Sequence, residues 1–242
     1  MQYPAESSGV RPRAALTAVL ALLLAVSWGP RLESQEPAPA KARYAGAIAA
    51  FLAQDRVAPP PAGGILFVGS SVFREWTMLE EHMAPLPVFN RAFGGSRTDD
   101  QLLYVDTIVI PYRPKMIVYY CGSNDINAGF PPAEIAGRTR EFIERVHRSL
   151  PGTRIFYVSI NRAPQKQARW RSVDSTNALM REYCERDPRL VYIDVNPALF
   201  DTRGEPRLEL YKPDRLHLTP AAYEAFTTMI KPVLAKAWQE VQ

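Results

Sequence analysis

Four short stretches of this chain carry the residue types that acyl transfer needs. Gly69-Ser70-Ser71 follows the apolar run Ile65–Val68, and Asn90-Arg91-Ala92-Phe93-Gly94-Gly95-Ser96 begins at the end of a second, shorter one. Gly122-Ser123-Asn124-Asp125 follows a third, and Asp214-Arg215-Leu216-His217 precedes the last helical pattern. A serine hydroxyl is a poor nucleophile until a base takes its proton. Ser71 is the candidate nucleophile and His217 the candidate base. Asp214, three residues before His217, can accept the other imidazole N–H, fixing the tautomer and stabilising the imidazolium. Attack on a carbonyl creates an oxyanion, which needs preorganised donors. The backbone N–H of Gly95, the side-chain amide of Asn124 and the backbone N–H of Ser71 are the candidates.

Taken singly, each stretch is weak. Gly-Ser-Ser after a strand is usually a turn, Gly94-Gly95 a tight turn, and Gly-Ser-Asn-Asp a β-turn or helix cap. Asp214 and His217 could form no more than a local hydrogen bond. The chain has three histidines. His82 lies in a polar stretch, and His147 falls at the edge of a helical apolar face, where a solvated side chain is expected. By elimination His217 is the base if the chain has one. The weight lies in the joint occurrence, in order, each at a strand end or before the last helix.

The elements that must position these residues alternate. Ala42–Val57, with Tyr44, Ile48, Phe51 and Leu52, reads as an amphipathic helix. Short apolar runs at 65–69, 87–90, 115–121, 153–160 and 190–195 read as five strands. Helical patterns lie between them. The first of these starts at Thr98, with Gln101 completing a capping box and Asp99 and Asp100 suiting the positive end of the helix dipole. The others cover 131–150 and 167–185. Thr219 and Pro220 open a last helix whose inward face includes Tyr223, Phe226, Ile230, Val233 and Leu234. Strands alternating with helices imply one doubly wound α/β domain, a parallel sheet covered on both faces. Ligands of such sheets sit at the carboxyl ends of the strands, where the four stretches fall.

The remaining composition bounds the setting. The 242 residues are 47% hydrophobic and 22% charged, with a formal charge of +4. The arginines are spread among acids without a basic block or an aromatic-rich basic stripe, which argues against a nucleic-acid partner. No set of His, Cys and carboxylates has metal-ligand spacing. Arg11 and Arg13 followed by the apolar stretch Ala14–Trp28 read as a signal peptide or signal anchor over 1–28. Residues 29–42 read as a linker and 43–242 as the folded domain, exported to the periplasm or secreted. The two cysteines, Cys121 and Cys184, are expected to be buried free thiols.

With these residues in view, the chain resembles the SGNH (GDSL-type) hydrolases, named for Ser, Gly, Asn and His in four separate blocks. The blocks here are Val68-Gly69-Ser70-Ser71, Phe93-Gly94-Gly95-Ser96, Gly122-Ser123-Asn124-Asp125 and Asp214-Arg215-Leu216-His217. Ser70 and Ser96 stand where that family commonly has Asp. The resemblance implies a flavodoxin-like sheet of order 2-1-3-4-5, no metal or cofactor, and serine ester hydrolysis. The substrates of the family include acetylated sugars, lysophospholipids and small esters. The absence of a long insertion that could form a lipid lid leans toward short acyl groups. Arg74 and Arg97 flank the first two blocks and Arg162 follows the fourth strand, so these three are candidate contacts to a carbohydrate or anionic substrate. Two rivals stay open: a non-catalytic glycan- or lipid-binding protein on the same fold, and an O-acyltransferase. A nucleotide-binding flavodoxin-type protein is disfavoured, because no GxGxxG loop follows the first strand.

Overall fold

The computed structural model describes residues 40–241. The expected signal segment 1–28 and residues 29–39 of the expected linker lie outside the described residues. The apolar runs form strands and the periodic runs form helices, in alternation. After α1 (Ala40–Val57), which takes in the last residues of that linker, come β1 (Ile65–Gly69), α2 (Ser71–Arg74), α3 (Leu79–Met83) and β2 (Val88–Asn90). Next are α4 (Thr98–Ile108), β3 (Met116–Tyr120), α5 (Ser123–Ala128), α6 (Pro132–Ser149) and β4 (Arg154–Val158). Then follow α7 (Trp170–Cys184), β5 (Leu190–Ile193), α8 (Asn196–Leu199) and α9 (Pro220–Val241).

The five strands form one parallel sheet of order β2-β1-β3-β4-β5. β1 sits inside it, with Ile65 opposite both Val88 and Met116 and Phe67 opposite both Asn90 and Val118. Side chains alternate between two layers, as the pleat requires. Phe67, Val118, Tyr120, Phe156 and Ile193 face α2, α3 and α9. Leu66, Val68, Ile117, Tyr119, Ile155 and Tyr157 face α1, α4, α6 and α7. Both faces are dry, which is why β1 and β3 read as continuous apolar runs rather than alternating ones. Each large side chain buried this way contributes about 1.5–3 kcal/mol relative to exposure.

Some local expectations are corrected. The box at the start of α4 is not Thr98 with Gln101: Asp100 Oδ2 accepts the N–H of Arg97 at 2.9 Å, and Gln101 turns inward. The segment expected as one helix over 167–185 is a 3-10 stretch, Pro164–Arg169, followed by α7, with Leu179 on the solvent side. The stretch between β5 and α9 contains α8 and a 3-10 turn at Leu208–Leu210. The Thr219 hydroxyl bonds the carbonyl of Glu209 instead of capping α9. His147 is half-buried, its Nε2 3.0 Å from the Thr153 carbonyl, rather than solvated. His82 accepts the indole N–H of Trp76 at 2.9 Å. Cys121 and Cys184 are free and buried, and burial pushes the Cys184 thiol up to about 12.

Candidate active site

The nucleophile candidate is placed by a glycine. Gly69 ends β1 at φ +147°, and a Cβ there would lie 1.9 Å from the Tyr120 carbonyl of β3. Only a residue without a side chain lets the chain turn so close to the neighbouring strand. Ser70 follows, buried, its N–H bonded to Tyr120 O at 3.0 Å. Ser71 is then the first residue of α2, so its N–H has no partner within the helix.

His217 arrives from the other end of the chain. Its Nε2 lies 3.2 Å from Ser71 Oγ and its Nδ1 2.6 Å from Asp214 Oδ2. Asp214 Oδ1 accepts the N–H groups of Leu216 at 3.0 Å and His217 at 2.9 Å, which closes the turn. Desolvation would raise the Asp214 carboxyl, but the His217 hydrogen bond and the two backbone N–H groups outweigh it and hold the group down at about 2. It is therefore an acceptor throughout the neutral range, able to fix the imidazole tautomer. The base of this loop is pinned by Lys212 N–H on the His217 carbonyl at 2.7 Å and by the Tyr211–Leu218 bridge.

The glycine turn is held from several sides. Gly95 adopts φ +77°, and its carbonyl accepts the Tyr44 hydroxyl of α1 at 2.9 Å. Burial, with the charge of Asp100 adding to it, pushes the Tyr44 phenol up to about 12, so it stays a donor. Ser96 is fully buried: its Oγ donates to Phe93 O at 2.8 Å and accepts from Gln101 Nε2 at 2.8 Å. The same Gln101 amide reaches Gly69 O at 3.0 Å, tying the glycine turn to the end of β1. Ser70 Oγ, by contrast, is buried with no hydrogen-bond partner among the described residues.

Asn124 joins the third block to the second. Its Nδ2 donates one N–H to Ser96 O at 2.9 Å and keeps a second. Asp125, wholly buried, accepts the N–H of Thr98 at 3.1 Å and its hydroxyl at 2.5 Å, so it anchors α5 to the start of α4. Beneath the block, the buried Lys166 ammonium donates to Ser123 O at 2.7 Å and Ser123 Oγ at 2.6 Å. Burial pushes that lysine down to about 8, only partly offset by Asp125. Among the described residues, no group of three or more His, Cys, Asp and Glu side chains could hold a metal ion.

The structure thus brings Ser71, Asp214, His217, Gly95 and Asn124 to the same end of the sheet. The three arginines differ. Arg74 lies on Gly94, whose Cβ would be 2.4 Å from its Nε, and pairs with Glu75 at 2.8 Å. Arg97 is held by Asp99 and lies over the Phe130 ring. Arg162 pairs with Asp174 and lines an open cleft of about 550 Å³ at the β4–β5 edge. Glu75, Lys166 and the hydroxyl role of Tyr44 were not legible beforehand. Glu75 is one helical turn beyond Ser71, which is a signal once that helix is known; Lys166 carries none, being distant in sequence from all it touches.

A family model described as GDSL-like Lipase/Acylhydrolase matches residues 67–225. The chain belongs to the GDSL-like lipase/acylhydrolase family. Several solved structures share its fold. One, provisionally described as a platelet activating factor from Streptococcus pneumonia, is 24% identical with a TM-score of 0.69, covering 78% of this chain and 92% of that one. An acylhydrolase, likewise provisionally described, from Bacteroides fragilis NCTC 9343 is 19% identical with a TM-score of 0.68, covering 84% and 99%. A GDSL-like lipase from Bacteroides thetaiotaomicron VPI-5482 is 18% identical with a TM-score of 0.63, covering 81% and 97%. No curated protein matches the chain. The GDSL-like model begins inside β1, so α1 and its Tyr44 lie outside the matched span.

Proposed function

We propose that the chain is an exported serine ester hydrolase for short acyl esters, with acetylated carbohydrate as the first candidate substrate. The observation that carries this reading is the hydrogen-bonded line from Ser71 Oγ through His217 to Asp214. In the reaction, the Ser71 O–H proton passes to His217 Nε2 as Oγ bonds the ester carbonyl carbon. The carbonyl π pair moves to oxygen, facing the N–H groups of Ser71 and Gly95 and the free N–H of Asn124. The imidazolium, held by Asp214, then protonates the leaving alcohol. Water, giving a proton to the same imidazole, attacks the acyl carbon; the bond to Oγ breaks, the imidazolium returns the proton to Ser71 Oγ and the acid is released.

Support for a short acyl group comes from the connections that carry the first three blocks: among the described residues, β1 to α2, β2 to α4 and β3 to α5 are all short. The test is hydrolysis of 4-nitrophenyl esters by the full chain, from acetyl to longer acyl groups. Acetate should be favoured, and Ser71→Ala and His217→Ala should each lower kcat by about a thousandfold or more. A rate unaffected by either substitution would overturn the assignment. A binding protein on the same fold predicts glycan binding with no turnover.

A further inference from the structure

Asp214 is not the sole carboxylate beside His217. Glu75 lies four residues after Ser71, one turn along from it, and its Oε1 is 3.7 Å from His217 Nε2. Asp214 and Glu75 therefore face opposite nitrogens of the ring. Glu75 is only slightly exposed and is held from two sides. Arg74 donates to Oε1 at 2.8 Å, and Lys212 donates to Oε2 at 2.8 Å. Each of these cations has a second attachment in the site. Arg74 rests on Gly94 of the glycine turn, and Lys212 donates its backbone N–H to the His217 carbonyl. Glu75 thus connects the nucleophile helix, the histidine loop and the glycine turn.

We propose that Glu75 is a positioning residue that stabilises the His217 imidazolium from the Nε2 side, with Arg74 and Lys212 fixing its place and tempering its charge. The kinetic part rests on the ester-hydrolase reading; the electrostatic part does not. At 3.7 Å the carboxylate is beyond hydrogen-bond reach, so Nε2 keeps Ser71 as its partner while the field of Glu75 acts through space. The ring becomes positive only after the Ser71 proton has moved to Nε2. A carboxylate there is thus stabilising after proton transfer more than before it, which is the condition for lowering a barrier. The charged and titratable groups around the imidazole are Asp214 on its own loop, Glu75 at the C-terminal cap of α2, and Arg74 and Lys212 behind Glu75. On α9, burial raises the Tyr223 phenol and Glu75 adds to that, so it stays neutral.

Two substitutions separate this from a purely structural role, because they move one reading in opposite directions. Glu75→Gln keeps the size and an acceptor oxygen but leaves two cations unbalanced near the ring. The His217 titration should fall by about one pH unit, and kcat on 4-nitrophenyl acetate by roughly tenfold, with KM little changed. Lys212→Met removes a cation, so the titration should rise by about half a pH unit. Imidazole NMR of the full chain reads His217 directly, with His217→Asn assigning the signal, and the acid limb of kcat/KM reads it in turnover. The inference is overturned if both variants titrate like the parent, or if both shift the same way. Absence of turnover in the parent would sink the hydrolase reading, yet the NMR comparison would still decide the role of Glu75.

Discussion

Lys166 offers a prediction in which stability and activity part company. Its ammonium is buried under the third block, with two hydrogen bonds to Ser123 and no carboxylate within ion-pair distance among the described residues. Burial moves it from an ordinary 10.5 to about 8. That displacement corresponds to roughly 3 kcal/mol by which the fold disfavours the charged form. Lys166→Met removes this cost and leaves the carbonyl and hydroxyl of Ser123 without their donor, a penalty of about 1–3 kcal/mol for each polar group left unpaired. At pH 7 the two effects largely offset each other, and the variant should lie within about 3 kcal/mol of the parent. Asn124 sits on the next residue, and a loosened Ser123 should cost roughly 10- to 100-fold in kcat, less than outright loss of an oxyanion donor.

The sign with pH follows from linkage. Because the folded value lies below the unfolded one, the unfolded chain binds more protons between about 8 and 10.5, and the lysine's contribution to stability rises across that window. Buried thiols and phenols with raised values work the other way as pH climbs. They are common to both proteins, so the difference isolates Lys166. Urea denaturation of parent and variant at pH 7 and at pH 10 should show the variant losing up to about 3 kcal/mol relative to the parent at the higher pH. A difference that stays constant with pH would refute the reasoning, as would an Asn124 site that works normally above Lys166→Met.

Two further outcomes test how the site is built. Gly69→Ala should cost more than about 4 kcal/mol or prevent folding, because the added Cβ meets the Tyr120 carbonyl at 1.9 Å; denaturation or soluble yield reads it. Tyr44→Phe removes the hydroxyl on Gly95 and should lower kcat about tenfold with a loss of only about 1 kcal/mol in stability, read by steady-state kinetics beside a urea titration.

The parts of this structure that depend on periodicity were legible in advance. A strand buried on both faces has no polar position to spare, so Ile65–Val68 and Met116–Tyr120 announce themselves, and the alternation with helices leaves little choice of topology. The five candidate site residues share another signal: each lies where a strand or loop delivers the chain to the carboxyl edge. The supports were not. Gln101 fits a capping box by sequence, yet its amide bonds Ser96 and Gly69, because that interior offered acceptors which local capping could not outbid. Thr98 likewise gives its hydroxyl to Asp125, far along the chain. Arg74, a candidate substrate contact by its place beside the first block, lies against Gly94 and pairs with Glu75. Such contacts are decided by tertiary placement, which no spacing reveals.

Ser71 as nucleophile is tested most directly by covalent labelling of the full chain with a fluorophosphonate, read by intact mass and peptide mapping. One adduct is expected, on Ser71, absent from Ser71→Ala and forming faster as rising pH leaves the imidazole of His217 neutral. Labelling on Ser70 or Ser123, or no adduct on a folded chain, would contradict it.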